Sequence, residues 1–177
     1  MIEVVIVLLL TGIVAGLAYP RIDVSRYKAD AVVVGVRSAM QQAQRASLIA
    51  QYDVIVSFDV NGGRMRLVWD ANNNHLIDFG ERVTWQSLTS GNKFAIPATG
   101  VRGVITAAVS GATVRTMDNM PTVTFHRDGS LSSDLEIYMS TIGHTTLWRA
   151  VTVIQATGRT DWFRLSPQTG KWGAGAL

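Results

Sequence analysis

The chain contains no cysteine, and it has only three histidines and four prolines among its 177 residues. The missing thiols exclude disulfides and thiolate metal sites, and they leave the redox compartment undetermined. The histidines, His75, His126 and His144, do not stand in a metal-ligand spacing with one another. Because no Gly-x-Ser-x-Gly elbow or phosphate-binding glycine loop occurs either, we expect no enzymatic activity.

Charge is also scarce. Charged residues make up 16% of the chain, against about 25% in a typical soluble protein. The 16 basic and 13 acidic residues give a net charge of +3, which is too mild for a dedicated nucleic-acid domain. Much of the apolar excess lies in residues 1–20, and the remainder has a globular composition. One ordinary domain with an N-terminal extension is therefore expected.

The extension contains an uncharged run of 17 residues from Val4 to Pro20. As a helix it would span about 26 Å, close to the roughly 30 Å of a bilayer core. Since the run lacks a basic flank at its start and continues into a helical pattern, we interpret it as a retained membrane anchor and not as a cleaved signal. Glu3 at its edge is costly at membrane depth unless it is paired, so it is either an assembly contact or a carboxylate in the headgroup layer.

A second helical pattern follows Pro20, which is predicted to kink the rod at the membrane boundary. Small and apolar residues recur at steps of three and four and predict an amphipathic helix. They are Ala29, Val32, Val33, Val36, Met40, Ala43, Ser47 and Ala50.

From about Tyr52 the period changes to the alternation of β-strands. Val54, Val56, Phe58 and Val60 fall on one face of a strand, and Met65, Leu67 and Trp69 fall on one face of the next, with Arg64 and Arg66 opposite. Asn61-Gly62-Gly63 predicts a hairpin turn between them. Further strand candidates are RVTWQSL, KFAIP, VRGVITAAV, TVTFHR, LEIYM, LWRAVTVIQA and DWFRL.

The expected fold class is α+β, with a long N-terminal membrane-anchoring helix packed on an antiparallel β-sheet domain. The predicted divisions are a transmembrane helix half at 1–20, an amphipathic helix half at 21–51 and a β-rich domain at 52–177. Asp134 and Glu136, close together on one predicted strand, are interpreted as acids on a solvated face.

The stretch IEVVIVLLLTGIVAGLAYP resembles the N-terminal segment of type IV pilin-like proteins. Their usual pattern is a basic leader, a glycine, then Phe-Thr-Leu-Ile-Glu and an apolar helix interrupted by proline. Ile2 and Glu3 match the last two residues, and Met1 stands where the Leu would be. We expect the leader and Phe-Thr upstream, from a longer chain or an earlier start codon. The resemblance implies that Glu3 docks the subunit by pairing with a neighbour's terminal amine. Cleavage by prepilin peptidase and N-methylation are family properties that these residues alone do not show.

The later order of elements, with TVTFHRDGSL and VTVIQATGR, resembles the GspH/FimT branch of minor pseudopilins. It implies a pilin-like fold and a structural subunit of a type II secretion or type IV pilus filament. The implied location is the inner membrane, with a single pass and the C-terminal domain in the periplasm. The implied partners are other pilin or pseudopilin subunits, the membrane and prepilin peptidase. Arg21, Arg26 and Lys28 favour the opposite orientation by the positive-inside rule.

The C-terminal region offers a second hypothesis, a FimT-like minor pilin that binds DNA for natural transformation. Arg159, Arg164 and Lys171 are interleaved with aromatic residues, a pattern that suits single-stranded nucleic acid. FimT-like proteins use a Gly-Arg-x-Arg motif, whereas Asp161 stands here in place of the second arginine. The alternative is that the aromatic rings pack in the last hairpin and the charges face solvent. A signal-anchored periplasmic enzyme is a third hypothesis.

The loop DANNNHLIDFGE raises the question of one cofactor, calcium. Asp70, Asn72, Asn74, Asp78 and Glu81 present oxygen ligands at the spacing of an EF-hand loop, with a backbone carbonyl near the seventh position. The sixth position, usually glycine, is a histidine here. The alternative is a polar turn in which Asn and Asp tolerate unusual backbone angles.

Overall fold

The computed structural model describes residues 2–18, 24–88, 91–98, 101–102, 109 and 114–175. It contains two helices, α1 (Ile2–Ala18) and α2 (Val24–Ala50), followed by ten strands. The strands are β1 (Asp53–Asp59), β2 (Arg64–Asp70), β3 (Arg82–Ser87), β4 (Asn92–Phe94), β5 (Thr116–Met117), β6 (Met120–Phe125), β7 (Leu135–Thr141), β8 (His144–Val153), β9 (Thr160–Leu165) and β10 (Trp172–Ala174).

The strands form two five-stranded antiparallel sheets, in the orders β3-β2-β1-β6-β5 and β10-β9-β8-β7-β4. The predicted first hairpin is confirmed, because β1 and β2 pair from Asp53 opposite Asp70 to Asp59 opposite Arg64. Its turn places Gly63 at φ 60°, in the left-handed region that glycine adopts without steric cost. The Gly62 N–H donates to the Asp59 carboxylate at 2.7 Å, which lowers the pKa of Asp59.

Helix α2 packs against strands of both sheets, so its buried face forms the centre of the core. Of the residues predicted for this face, all but Ala50 are buried. Val33 and Met40 are fully inaccessible and belong to the same cluster as Phe58 and Phe125. The amphipathic pattern is therefore confirmed, since a period of 3.6 residues already specifies which side of a helix is apolar.

The predicted apolar face of β1 and β2 is likewise in the core, except for Val60, which follows β1 and is only partly buried. The other face of the two strands is also covered. Ile55, Ser57 and Val68 are fully buried there, and Arg66 is only 8% exposed. Arg66 donates to Asp118 at 2.8 Å from the segment that leads into β6. An alternating pattern marks which residues share a face, but it does not show that a distant segment covers the polar face.

The interpretation of Glu136 as a solvated acid is wrong. Its side chain is fully buried and accepts a hydrogen bond from the Tyr138 hydroxyl at 2.6 Å, and Arg102 lies 3.5 Å away. Burial, together with this bond to the carboxylate, raises the pKa of Tyr138. Residue Arg102 is far from Glu136 in the sequence, so the spacing of the acids alone did not indicate the contact.

Most of the other strand predictions are confirmed within a few residues. Two predictions, the kink at Pro20 and most of the strand VRGVITAAV, lie outside the described residues. Neither α1 nor α2, as far as they are described, combines the length and the apolarity that a membrane crossing requires.

Candidate functional site

Helix α1 exposes apolar side chains on every side. The large aliphatic residues between Ile2 and Val14 are all between 52% and 75% exposed. The one hydroxyl in this stretch, on Thr11, donates back to the Val7 carbonyl, so its polar group is satisfied within the helix. A helix that is apolar all round is suited to burial in lipid or among other helices.

Glu3 lies in the first turn of α1 and is exposed. A carboxylate at this end of a helix interacts favourably with the unpaired backbone N–H groups. Within the described part of the chain Glu3 takes part in no ion pair. The structure therefore places the predicted assembly residue at one end of an exposed apolar surface, where it is accessible to a positively charged partner.

The predicted calcium loop follows β2 and is ordered by its own side chains. Asn72 and Asn74 both donate to the Asp78 carboxylate, at 2.9 and 2.6 Å. These two bonds lower the pKa of Asp78 and so favour its ionised form, and the bond from Asn72 has the larger effect. The Glu81 carboxylate accepts from the Asp78 N–H at 3.0 Å, and Asp70 accepts from the backbone of the same loop. The predicted ligands are thus neighbours in space.

The sixth position of this loop, His75, has φ 61°, the left-handed backbone that a glycine normally supplies in a calcium loop. Among the described residues, no three His, Asp or Glu side chains are gathered so that they alone would hold a metal ion. A calcium ion would therefore depend on asparagine and backbone oxygens as well. The calcium site and the polar turn both stay open as interpretations.

If the loop binds calcium, Asp78→Asn should weaken binding by more than about tenfold, because it removes one charge from the ligand set. Equilibrium dialysis with radioactive calcium on the full chain measures this directly. The matched control is Asp128→Asn, which alters another exposed turn carboxylate outside the loop. Failure of the unsubstituted protein to bind at millimolar calcium would leave the polar turn as the correct interpretation.

Two histidines that the sequence left without a role share one buried carboxylate. His75 Nδ1 and His126 Nδ1 lie 3.2 and 3.1 Å from the same oxygen of Asp53, which is 3% exposed. The Asn73 side chain also accepts from the Asp53 N–H at 2.8 Å. These contacts fasten the loop after β2 to the start of β1 and the end of β6. No sequence spacing predicted them, because the residues come from three separate segments.

The predicted DNA-binding residues do not form one patch. Arg159 lies in the turn before β9 and pairs with Asp161 at 3.0 Å, whereas Lys171 lies just before β10, at the opposite end of β9. Arg164 is within β9, 4.0 Å from Asp30. The rings are also engaged inside the domain. Trp162 is only 5% exposed, Phe163 lies under the Arg102 guanidinium, and Trp172 packs beside Tyr138.

Arg149, one of the basic residues interleaved with these aromatics, is 5% exposed. Its Nε donates to Asp30 of α2 at 2.6 Å and its Nη1 donates to the Trp148 carbonyl at 3.0 Å. This ion pair joins β8 to the second turn of α2. It was missed by the sequence reasoning because the partners are 119 residues apart.

In sequence, no protein-family model and no curated protein matches the chain. In structure, the chain is similar to two solved structures of EpsH, a minor pseudopilin from the Type 2 Secretion System of Vibrio cholerae. The first has a TM-score of 0.51 at 11% identity and covers 77% of this chain and 97% of EpsH. The second has a TM-score of 0.50 at 13% identity, with 77% and 94% covered.

At such low identity the likeness establishes the fold. The chain combines an N-terminal helix with antiparallel sheets, as the pseudopilin structures do, so the predicted α+β pilin-like architecture is confirmed at that level. The assignment to the GspH/FimT branch stays a prediction.

Proposed function

We propose that the chain is a structural subunit of a pilin-like filament, a minor pilin or pseudopilin of a type II secretion system or type IV pilus, and not an enzyme. The observation that carries the proposal is the exposed apolar surface of α1, next to a domain with the fold of a minor pseudopilin. In this role the β-sheet domain lies on the surface of the filament, and α1 supplies the contacts that hold the subunit in the filament.

Burial of the apolar side chains of α1 would release a large free energy. Burial of one large aliphatic side chain contributes about 1.5–3 kcal/mol, and ten such residues between Ile2 and Val14 are exposed. Their combined transfer from water amounts to tens of kcal/mol. A lipid bilayer satisfies this surface before assembly, and neighbouring α1 helices satisfy it afterwards. A helix of 17 residues is a few ångströms short of the hydrocarbon core, a mismatch that local thinning accommodates.

The proposed location is therefore the inner membrane, with one pass and the domain in the periplasm. The proposed partners are other pilin or pseudopilin subunits, together with prepilin peptidase if a leader precedes the sequence. Glu3 supplies specificity. A carboxylate inside an apolar environment is costly alone, so it favours the arrangement in which a neighbour offers a positive charge.

The absence of cysteine gives a direct test, because any introduced thiol is the only one in the chain. Val7→Cys and Leu10→Cys place it on exposed positions of α1, and Ala156→Cys places it on the exposed turn between β8 and β9. The experiment is done in cells that produce the filament and in which a second subunit carries one cysteine in its N-terminal helix. After oxidation, we expect cross-links between the two subunits from the cysteines in α1 but not from the cysteine at position 156. Equal cross-linking from position 156, or none from α1, would contradict assembly through this helix.

A further inference from the structure

A groove of 440 Å³ lies between the start of α2 and the second sheet. Arg26 and Asp30 line it from α2, Arg149 from β8 and Arg164 from β9, over an apolar floor that includes Leu147 and Leu165. Among the described residues that line the groove, there are therefore three guanidinium groups and one carboxylate. The volume falls in the range of small-ligand sites, about 300–1,000 Å³.

The carboxylate in the groove is already engaged. Asp30 accepts from Arg149 at 2.6 Å, while Arg164 approaches it only to 4.0 Å. Arg26 and Arg164 are exposed, and no described carboxylate forms an ion pair with Arg26. Arg149 is held by its two hydrogen bonds, and Arg164 also lies over the Trp162 ring at 5.2 Å. The groove therefore combines one buried guanidinium group with two exposed ones, of which Arg164 is only loosely held by Asp30. Guanidinium groups donate paired N–H groups to phosphate oxygens, so a phosphate is the ligand chemistry that this set of residues suits.

The residues around the groove indicate which kind of molecule carries the phosphate. Arg26 lies at the beginning of α2, and only residues 19–23 separate that helix from the apolar α1. Tyr27, beside Arg26, is 74% exposed, and Ile142 in the β7–β8 turn is 61% exposed. Ser25 contacts His144 at 2.9 Å, which brings this turn to the same end of the domain. Exposed aromatic and aliphatic side chains next to arginines are typical of proteins at a lipid headgroup layer.

We propose that this groove binds the phosphate of an anionic membrane phospholipid and so sets the domain against the membrane surface. The inference rests on the proposed function, because it requires α1 to be in the bilayer. The headgroup phosphate contacts Arg26 and Arg164, with Arg149 behind them. Tyr27 and Ile142 enter the region between headgroups and acyl chains.

The test uses the full chain in an uncharged detergent and measures its thermal unfolding by tryptophan fluorescence while dioleoyl phosphatidylglycerol is added. A ligand that binds only the folded state raises the unfolding temperature. We expect a saturable rise with this lipid and none with dioleoyl phosphatidylcholine. Arg26→Gln and Arg164→Gln should each weaken apparent affinity by about tenfold or more, the contribution of a charge-assisted hydrogen bond. Arg159→Gln removes the same charge from a turn outside the groove and should change nothing.

Several results would overturn the assignment. An equal rise with phosphatidylcholine would show that headgroup charge does not matter, and a rise that survives in the Arg26→Gln/Arg164→Gln variant would place the site elsewhere. If inorganic phosphate at the same concentration reproduced the effect, the ligand would be a free phosphate. If the lipid had no effect but the double variant lost cross-links to other subunits, the groove would hold an acidic protein segment.

Flotation with neutral vesicles separates this inference from the proposed function. It reports insertion of α1 and should be the same for the unsubstituted chain and the double variant. Loss of flotation in both would remove the basis of the proposed membrane anchor, whereas intact flotation without a lipid-specific rise would overturn only the groove.

Discussion

Glu3→Ala is expected to leave the protein folded and associated with the membrane but to lower its incorporation into filaments by more than about a hundredfold. If the carboxylate pairs with a cation on the neighbouring subunit, its removal leaves that cation unpaired among apolar helices. Breaking one side of a buried ion pair costs about 3–5 kcal/mol, and each 1.4 kcal/mol is a factor of ten in the equilibrium. Because Glu3 is exposed at the end of α1, the substitution removes no contact within the described fold.

The measurement is the amount of the protein in sheared filaments relative to the amount in the membrane fraction. Glu3→Asp retains the charge on a shorter side chain and should assemble far better than Glu3→Gln, which retains the shape without the charge. Equal incorporation of the alanine variant and the unsubstituted protein would show that Glu3 lies in the headgroup layer of an ordinary anchor. The pairing role would then be wrong.

Val33→Asp is expected to destabilise the domain by about 3–5 kcal/mol, the cost of an uncompensated buried charge. Val33 is fully buried in the core cluster on the face of α2 that packs on both sheets. Domains of ordinary stability have about 5–15 kcal/mol in total, so this variant should unfold at a much lower denaturant concentration. Chemical denaturation of the full chain in detergent, followed by tryptophan fluorescence, measures the change.

The neighbouring Val34 provides a matched control, since it is 41% exposed on the same helix. Val34→Asp introduces the same side chain and the same loss of helix propensity, and it should change the free energy of unfolding by less than about 1 kcal/mol. If both variants were equally destabilised, helix propensity and not burial would be the cause. The assignment of the core face of α2 would then fail.

The elements that sequence reasoning predicted well are those whose signals are local. The buried face of α2 follows from spacing within one helix, and the β1–β2 hairpin follows from two alternating runs around Asn61-Gly62-Gly63. Each pattern is complete within about twenty residues, so no knowledge of the rest of the chain was needed. The pilin-like architecture followed from their order and from the resemblance of the first helix.

The errors and omissions concern burial of polar groups. Glu136 was interpreted as solvated although it contacts Tyr138 and Arg102, and the ion pair of Arg66 with Asp118 was not predicted. A buried charge requires a partner, and these partners come mostly from other parts of the chain. Of the candidate sites, the calcium loop stays a prediction, and its attachment through His75 to Asp53 had no signal in the sequence.

By itself, the sequence determined that this protein has an apolar helix with an acid at its tip, an amphipathic second helix and a set of strands, because periodicity and charge are properties of adjacent residues. Only the tertiary structure decided that Arg26, Arg149 and Arg164 line one groove and that Asp30 pairs with one of them across 119 residues. Chain folding brings such groups together through the packing of α2 on the second sheet, and no spacing along the chain records that contact.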